Sequence, residues 1–499
     1  MAAKKYINIR AILQILGLLL IIEAFFMLFC IPFSWYYGST DFFDWNIEDA
    51  NHDFWPLVIS AAITFISGII LYFGSRKAIR EDIGKREGYI IVSIAWVVIS
   101  LFGALPYILS GSIPNFTNAF FETISGFTTT GSTILNDIEA LPKGILFWRA
   151  ITHWIGGMGI IVLSLAILPF LGIGGMQMYI AEVPGPTHDK LHPRITQTAK
   201  LLWGIYVLLT FIQTLLLMLG GMDLFESLAH SFSTMATGGF STRNDSIASF
   251  SPYIQYVITF FMFLAGMNFT LHYMALHGRI REVLRNEEFR YYFFLVIIST
   301  LIITIVLTIT GTYGLEASFR NAIFTVLSIM GTSGFVTSDY MMWPGALWFI
   351  IFMLMFVGGS AGSTGGGIKV VRHMLLLKNS LLELKRLLHP QAVIPVRMNG
   401  RPVSQEIIFK VLAFFLMYII VFAAGVFALS ICGLDFETSV GASISSIGNI
   451  GPGIGKVGPA YNFTVIPDPG KWVLMILMIL GRLEFFTVLI LFSPAFWKR

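Results

Sequence analysis

Thr129-Thr130-Gly131 is a short string whose close variants occur three more times along this chain of 499 residues. The variants are Thr237-Gly238-Gly239, Thr332-Ser333-Gly334 and Asn449-Ile450-Gly451. Each copy follows a short amphiphilic segment and precedes a long apolar one. When Gly131, Gly238, Gly334 and Gly451 are taken as equivalent, the intervals are 107, 96 and 117 residues. Four copies at a nearly constant interval predict a structure built four times around one axis.

The composition indicates a membrane protein. The chain is 56% apolar and 12% charged, whereas about 25% of residues are charged in a soluble protein. Several apolar runs exceed the roughly 20 residues that a spanning helix needs. Cys30 and Cys432 lie in or at the end of apolar runs, which argues against a disulfide framework or a zinc site. The net charge of +4 gives no indication of a nucleic-acid partner.

We predict ten membrane-spanning segments, of which only the eighth is interrupted. Residues 11–32 form a run too long for the apolar core of a signal peptide, so we expect a retained helix. The predicted spans are 11–32, 56–75, 88–110, 147–170, 201–221, 254–277, 292–311, 345–378, 411–432 and 472–494.

The orientation follows from the distribution of basic residues between alternate loops. The first predicted outer loop contains Asp41, Asp44, Glu48, Asp49 and Asp53 without a lysine or arginine. The pattern predicts that both termini are cytoplasmic and that all four Gly motifs lie on the outer side. Basic residues cluster instead at the N-terminus (Lys4, Lys5, Arg10), in 76–86, 190–200, 279–290 and 369–401, and at Lys498-Arg499.

After two N-terminal spans, the other eight form four repeats of helix, half-length segment, Gly motif and helix. The half-length segments, near 115–127, 223–235, 317–329 and 435–446, are too short to span and too apolar for ordinary loops. Irregular backbone at membrane depth is tolerated only where it is buried in protein or lines water, so re-entrant loops are expected. The predicted fold is an all-α membrane protein with four helix–re-entrant loop–helix repeats around a pseudo-fourfold pore. We place the units at 1–84, 85–190, 191–288, 289–402 and 403–499.

A ring of such loops suits cation passage. A cation that enters a bilayer needs oxygens to replace its hydration shell, and backbone carbonyls hold an ion without a full charge, so that it can leave. Aiming successive carbonyls at an axis requires unusual backbone angles, which glycine tolerates.

Acidic residues are predicted to lie at the outer ends of the half-length segments, and two explanations remain open. Acids near an outer mouth would concentrate cations, but acids are also generally favoured at helix N-termini. The residues concerned are Glu122, Asp223, Glu226, Asp435 and Glu437.

The eighth span contains six glycines within residues 357–367. Glycine costs about 1 kcal/mol per residue inside a helix, so this stretch is predicted to break the helix. It matches neither a P-loop nor a dinucleotide fingerprint. A flexible segment at this position could obstruct an ion path, and a simple packing kink is the alternative.

Arg482 lies inside the last apolar span, where a charge is expensive and usually faces a partner or a cavity. Glu484 is two residues away and would not face it on a helix. We expect Arg482 to point into the pore and meet the glycine-rich segment, with snorkelling to the membrane surface as the alternative.

Several strings together resemble the membrane subunits of bacterial Trk potassium-uptake systems, the TrkH/TrkG branch of the superfamily that includes the KtrB and plant HKT transporters. The resemblance covers nearly the whole chain. The matching strings are Thr128-Thr129-Thr130-Gly131, His153-Trp154-Ile155-Gly156-Gly157-Met158-Gly159, Ala236-Thr237-Gly238-Gly239-Phe240-Ser241, Gly362-Ser363-Thr364-Gly365-Gly366-Gly367-Ile368-Lys369 and Asn449-Ile450-Gly451-Pro452-Gly453. Met330-Gly331-Thr332-Ser333-Gly334-Phe335 is a looser match.

The resemblance implies which residues form the pathway. It implies a potassium filter with one glycine per loop, at Gly131, Gly238, Gly334 and Gly451, and glycine at the first of these implies potassium over sodium. The neighbouring filter residues would be Thr129, Thr130, Ala236, Thr237, Thr332, Ser333, Asn449 and Ile450. The gate would comprise Gly358, Gly359, Gly362, Ser363, Thr364, Gly365, Gly366, Gly367 and Arg482.

The expected function is therefore potassium uptake across the bacterial inner membrane, without catalysis and without an organic cofactor. The resemblance further implies a homodimer and a cytosolic nucleotide-binding subunit of the TrkA type, and the basic inner loops could bind anionic lipid. A carrier that couples potassium to sodium or protons remains the alternative, although the repeats share one orientation and no acid at mid-membrane depth other than Glu484 stands out. A membrane enzyme acting on lipids should show clustered acids for magnesium, and none stands out.

Overall fold

The computed structural model describes residues 7–38, 53–75, 84–170, 195–483 and 485–497. Some of the predicted features lie outside these ranges. They are Lys4, Lys5, the acids at 41–49, the basic residues at 76–80 and 190–194, Glu484, and Lys498-Arg499.

Helices dominate the described residues, and the two strands form a small antiparallel hairpin, Arg397–Met398 with Arg401–Pro402. The N-terminal helices are Ile9–Leu28, Ile31–Tyr37 and Phe54–Gly74. The first repeat contains Lys85–Gly103, Leu105–Leu109, Phe116–Phe127 and Lys143–Phe170, and the second contains Ile195–Leu219, Leu224–Met235, Pro252–Ala265 and Phe269–Leu276. The third contains Glu287–Ile309, Leu315–Met330, Gly345–Met355 and Val370–Leu388, preceded by the short helix Ile280–Arg285. The fourth contains Gln405–Ile431, Phe436–Gly448, Asp468–Arg482 and Phe486–Leu489, followed by Pro494–Trp497.

This arrangement confirms the all-α fold with four helix–re-entrant loop–helix repeats and two additional N-terminal spans. Within the described ranges, six helices are long and apolar enough to cross a membrane, and two bent helix pairs raise the number to eight. The two remaining predicted spans correspond to the 28-residue helix Lys143–Phe170 and to the interrupted span, whose first part is Gly345–Met355.

The four half-length helices begin and end close to the predicted positions, and we call them half-helices 1 to 4. They are Phe116–Phe127, Leu224–Met235, Leu315–Met330 and Phe436–Gly448. Three begin at a side-chain cap, in which Asn115, Asp223 or Asp435 accepts a hydrogen bond from the backbone of the first turn. Such caps satisfy amide groups that a helix start leaves without partners.

The sixth and tenth spans are bent, although only the eighth was predicted to be interrupted. The sixth turns by 103° between Ala265 and Phe269, and the tenth by 107° after Arg482. In the sixth span, Asn268 caps the second helix by accepting a hydrogen bond from the Thr270 amide at 2.9 Å. The prediction of two uninterrupted spans was wrong because apolar composition hides a cap inside a long apolar run.

Candidate ion pathway

Each half-helix ends in the same hydrogen-bonded reversal. In each case, the amide of the residue before the motif's last glycine donates to a serine carbonyl five residues back, which is the pattern of a Schellman cap. The four bonds are Thr130 N to Ser125 O at 2.9 Å, Gly238 N to Ser233 O at 2.8 Å, Ser333 N to Ser328 O at 2.7 Å and Ile450 N to Ser445 O at 2.9 Å.

The first residue of each loop, at which the chain reverses, has a left-handed backbone conformation in all four copies. These residues are Thr129, Thr237, Thr332 and Asn449, with φ of 53°, 56°, 54° and 52°. Glycine usually fills this position and asparagine sometimes does, whereas a β-branched residue with positive φ is an outlier. Three threonines in this conformation indicate stored backbone strain, which persists only where the surroundings hold it in place.

The left-handed glycines reveal the register of the repeat. Gly131, Gly239, Gly334 and Gly451 have φ of 80°, 79°, 77° and 104°, and each lies six residues after the serine of its half-helix. Gly131 therefore corresponds to Gly239, and the predicted equivalence with Gly238 was wrong by one residue. Gly238 and Gly239 both fit the Gly motif when the sequence is read by itself. Only their distance from Ser233, five or six residues, distinguishes them.

The four loops, which we call Gly loops 1 to 4 (residues 129–131, 237–239, 332–334 and 449–451), contact one another in a closed cycle. A Cβ atom added to the left-handed glycine of one loop would strike a carbonyl oxygen of the next. The contacts are Gly131 on Gly238 O, Gly239 on Ser333 O, Gly334 on Ile450 O and Gly451 on Thr130 O. The cycle returns to its start in chain order, as a pseudo-fourfold ring requires.

Side chains join the last Gly loop to the first. Asn449 donates from Nδ2 to Thr130 Oγ1 at 2.9 Å and to Met478 O at 3.0 Å. The Ser132 hydroxyl donates to Gly451 O at 3.3 Å. The oxygen-rich loops are thus held together by direct bonds. Among the described residues, no three His, Cys, Asp or Glu side chains come together as a metal-ion site.

Residues 356–369 form the break in the eighth span, which we call the interrupting segment. Its two ends pair with each other through a bridge between Val357 and Ile368. Gly358 N donates to Ile368 O at 2.9 Å, and Val370 N donates to Gly359 O at 3.1 Å. The segment is therefore a closed loop inserted between two helices, which is more than the kink considered above.

The interrupting segment lies directly against Gly loop 3 and half-helix 2. Gly366 N donates to Thr332 Oγ1 at 2.7 Å. Thr364 Oγ1 contacts Met235 O at 3.0 Å, at the end of half-helix 2, and Ala265 O at 3.3 Å, at the bend of the sixth span. The predicted glycine-rich residues and the third Gly motif are therefore brought together.

Arg482 fastens the interrupting segment to the first repeat. Its Nη1 donates to Thr364 O at 2.8 Å, and its Nη2 donates to Gly156 O at 2.7 Å and Gly157 O at 3.1 Å. The guanidinium therefore points into the protein, where it meets the segment as predicted from its position, and does not snorkel to the surface.

Known proteins with a similar sequence and a similar structure share this architecture. The family described as "TrkH: Cation transport protein" matches residues 57–499. The chain belongs to the TrkH family. The Trk system potassium uptake protein TrkH of Halomonas elongata is 40% identical over 497 residues, covering 99% of this chain and 100% of that protein. TrkH of Escherichia coli K12 is 44% identical over 438 residues, covering 87% and 90%. The crystal structure of the potassium transporter TrkH from Vibrio parahaemolyticus superposes with a TM-score of 0.86 at 37% identity, covering 98% and 100%.

The TrkH-family match includes all four Gly loops, the interrupting segment and Arg482. TrkH proteins are a family of transporters rather than enzymes, and this chain is a member of that family.

Four of the five acids predicted at the outer ends of the half-helices have structural partners in this TrkH-family chain. Asp223 and Asp435 cap half-helices 2 and 4, which supports the interpretation as helix-start residues. Glu226 forms an ion pair with Arg243 at 2.9 Å. Glu122 was placed at an outer helix end, and this was wrong, because it lies in the second half of half-helix 1 with no exposed surface.

Two contacts next to the Gly loops were not predicted from the sequence. His153 stacks on Phe240 with a centroid distance of 3.9 Å and lies so close to Gly238 that a Cβ there would strike its ring. Glu122 forms a buried ion pair with Arg149 at 2.7 Å. The charged residue inside an apolar segment was the available signal for the second feature. A partner 27 residues away could not be assigned from it.

Proposed function

We propose that the chain mediates potassium uptake through the ring of Gly loops. The closed cycle of four left-handed glycines carries this proposal, since it brings four equivalent backbone segments around one point. The hydration shell of a potassium ion would be replaced by carbonyl oxygens of the four Gly loops, residues 129–131, 237–239, 332–334 and 449–451. The second of these ranges follows the corrected register, in which Gly239 is equivalent to Gly131. A membrane potential of 100 mV, inside negative, contributes about 2.3 kcal/mol per ion to inward movement. The TrkH relatives named as potassium uptake proteins support this choice of ion.

In this proposal the interrupting segment is the gate. Gly358, Gly359, Gly362, Ser363, Thr364 and Gly365–Gly367 obstruct the path next to Gly loop 3, and Arg482 keeps the obstruction in place. The positive charge of Arg482 also repels a cation that approaches the closed segment. Opening requires the segment to exchange its few bonds to Thr332, Met235 and Arg482 for others.

The assembly around the pore is part of the same proposal. The Trk system name of the relatives supports a regulatory component in addition to the pore chain. We place a homodimer of this chain in the bacterial inner membrane, with cytoplasmic termini. A nucleotide-binding subunit of the TrkA type and anionic lipid would bind the basic surface of 369–401.

Purified protein in liposomes tests the proposed function. Potassium uptake should follow an imposed inside-negative potential and exceed sodium uptake under the same drive. An absence of potassium uptake in monodisperse, folded protein, with the regulatory subunit added, would contradict the proposal.

Proton-coupled uptake is a second candidate, because the first helix holds a buried acid. Glu23 is 4% exposed, and neither carboxylate oxygen has a hydrogen-bond partner among the described residues. It lies next to Gly103, Thr123 and Phe127, behind half-helix 1. Buried acids of this kind serve as proton-binding groups in coupled membrane transporters.

Uptake in a pH gradient distinguishes the two mechanisms. Coupled transport would accumulate potassium against its own gradient when the outside is acidic, and Glu23→Gln would abolish that accumulation. A conducting pore would show neither effect.

A further inference from the structure

We propose that Glu122 and Arg149 are positioning residues that hold Gly loops 1 and 2 in register and thereby set the preference for potassium over sodium. This inference rests on the proposed function. Both residues are buried, with 0% and 2% exposure. Their ion pair, with Nε and Oε1 2.7 Å apart, is therefore shielded from water and from salt.

Glu122 connects the half-helix before Gly loop 1 to the chain just after it. Its Oε1 also accepts a hydrogen bond from Thr133 Oγ1 at 3.0 Å, and its Oε2 accepts one from Ile134 N at 3.0 Å. Gly131 lies between these anchor points. The carboxylate thus closes the loop from behind and fixes the distance between its two ends.

Arg149 extends this closure to the second repeat. Its Nη1 donates to Ser241 O at 2.8 Å, and its guanidinium lies over the Phe240 ring, 3.5 Å from the centroid. Both contacts are to residues immediately after Gly239. One guanidinium therefore binds the carboxylate behind Gly loop 1 and the backbone that leaves Gly loop 2, so the spacing of the two loops depends on it.

The equivalent positions show that this closure belongs to one half of the ring. Nine residues before the left-handed glycines stand Glu122, His230, Thr325 and Ala442, and two residues after them stand Thr133, Ser241, Val336 and Gly453. In repeat 2, His230 Nε2 and Ser241 Oγ are 3.0 Å apart, which matches the Glu122–Thr133 bond. In repeats 3 and 4, the position after the loop offers no side-chain polar group, so no such bond can form.

A ring that recognises an ion by carbonyl positions responds to the mobility of its loops. Sodium is smaller than potassium, and loops 1 and 2 must close further to coordinate it. The buried pair resists that movement, since any shift separates opposite charges in the protein interior. Loss of the pair should therefore admit sodium.

The test measures initial uptake of potassium and of sodium into liposomes under the same potential. Glu122→Gln keeps the shape of the side chain but removes its charge. Arg149→Lys keeps the charge but removes the guanidinium group, which donates to Glu122 and to Ser241 O at the same time. We expect each variant to lower the potassium-to-sodium ratio by about tenfold. The ratio does not depend on the fraction of active protein, so a purely structural role would leave it unchanged.

Glu316→Gln is the matched control. Glu316 pairs with Arg320 at 2.9 Å on half-helix 3, but its side chain is 61% exposed, so the ratio should stay at the wild-type value. Where Glu122→Gln does not fold, Thr133→Val removes one bond to the carboxylate and should lower the ratio by a smaller factor. An unchanged ratio in folded Arg149→Lys and Thr133→Val overturns the inference. Absent potassium uptake in the wild-type protein instead contradicts the proposed function.

Discussion

The four Gly loops and the interrupting segment are both rich in glycine, but different kinds of bond hold them. Each Gly loop is fastened to its own half-helix by a backbone hydrogen bond between residues five positions apart in the sequence, such as Thr130 N to Ser125 O. The interrupting segment is fastened to distant parts of the chain, including Thr332, Met235 and Arg482. Local bonds form a rigid end to a helix, whereas distant bonds can be exchanged when helices move.

Backbone strain is located in the Gly loops of this molecule, whereas the interrupting segment is the part suited to movement. Left-handed threonines in the Gly loops store strain that only a fixed setting can maintain. Glycines in the interrupting segment store none, since they tolerate positive φ. Gly362 and Gly367, with φ of 75° and 63°, are the examples. The ring is thus suited to recognition and the interrupting segment to movement, and the predictions below test that division.

The largest effect is expected at Gly239. In Gly239→Ala, the new methyl group meets Ser333 O in a backbone conformation that costs a non-glycine residue about 1 kcal/mol or more. The ring should open between loops 2 and 3, and potassium uptake should fall by at least about tenfold. Uptake of potassium into liposomes measures this change.

Gly204→Ala is the control for Gly239→Ala, because it lies within the helix Ile195–Leu219 and a Cβ there meets no atom within 4 Å. Its uptake should match the wild type. Full activity in Gly239→Ala would contradict the assignment of the ring.

The next effect concerns Arg482. Arg482→Ala removes three hydrogen bonds from a charged donor, to Thr364, Gly156 and Gly157, and each such bond contributes about 1.5–3 kcal/mol. The interrupting segment should be released, and basal flux without a regulatory subunit should rise several-fold. Arg482→Lys, which keeps the charge and fewer bonds, should lie between. Reduced flux in folded Arg482→Ala would reverse the assignment of Arg482 to the gate.

A smaller effect of the same sign is expected at Thr364. Thr364→Val keeps the shape of the side chain but removes the single hydroxyl donor that Met235 O and Ala265 O share, a loss of about 1 kcal/mol. Basal flux should rise less than in Arg482→Ala. Thr308→Val is the control, since within the described ranges the Thr308 hydroxyl bonds to Thr304 O of its own helix. Equal flux in Thr364→Val and the wild type would indicate that this contact does not restrain the segment.

The sequence predicted the parts of the fold that depend on local patterns. The half-helices, the Gly motifs and the break in the eighth span follow from apolar run length and glycine content. The bends after Ala265 and Arg482 were missed, because helix breaks inside apolar runs leave no change in composition. Asn268 was a usable signal in the first case, as an N-cap residue two positions after Gly266.

The sequence supplied candidate residues for the site but not the contacts between them. Arg482 could be placed near the interrupting segment because an intramembrane charge needs a partner. Its acceptors Gly156 and Gly157 lie in another repeat, and nothing in the sequence pairs them. The Glu122–Arg149 pair likewise depends on a three-dimensional contact, here between two helices of the first repeat. The register of Gly238 and Gly239, by contrast, follows from the six-residue offset from Ser233 and could have been found in the sequence.

The smallest effect is expected where the Gly loops carry their strain. Thr129 is fully buried, and its Oγ1 has no hydrogen-bond partner among the described residues, so its side chain offers no bond that would be lost. Thr129→Asn introduces a residue that tolerates the left-handed conformation. The free energy of unfolding should rise by less than about 1 kcal/mol, measured as a small increase in the melting temperature of the detergent-solubilised protein.

The reciprocal change separates strain from bonding. Asn449→Thr places a threonine in the same conformation but also removes the bonds to Thr130 Oγ1 and Met478 O, so its melting temperature should fall. If backbone strain alone decided stability, the two variants would shift the melting temperature by equal and opposite amounts. A larger fall in Asn449→Thr than rise in Thr129→Asn would show that the side-chain bonds of Asn449 stabilise loop 4 in addition to the effect of backbone strain.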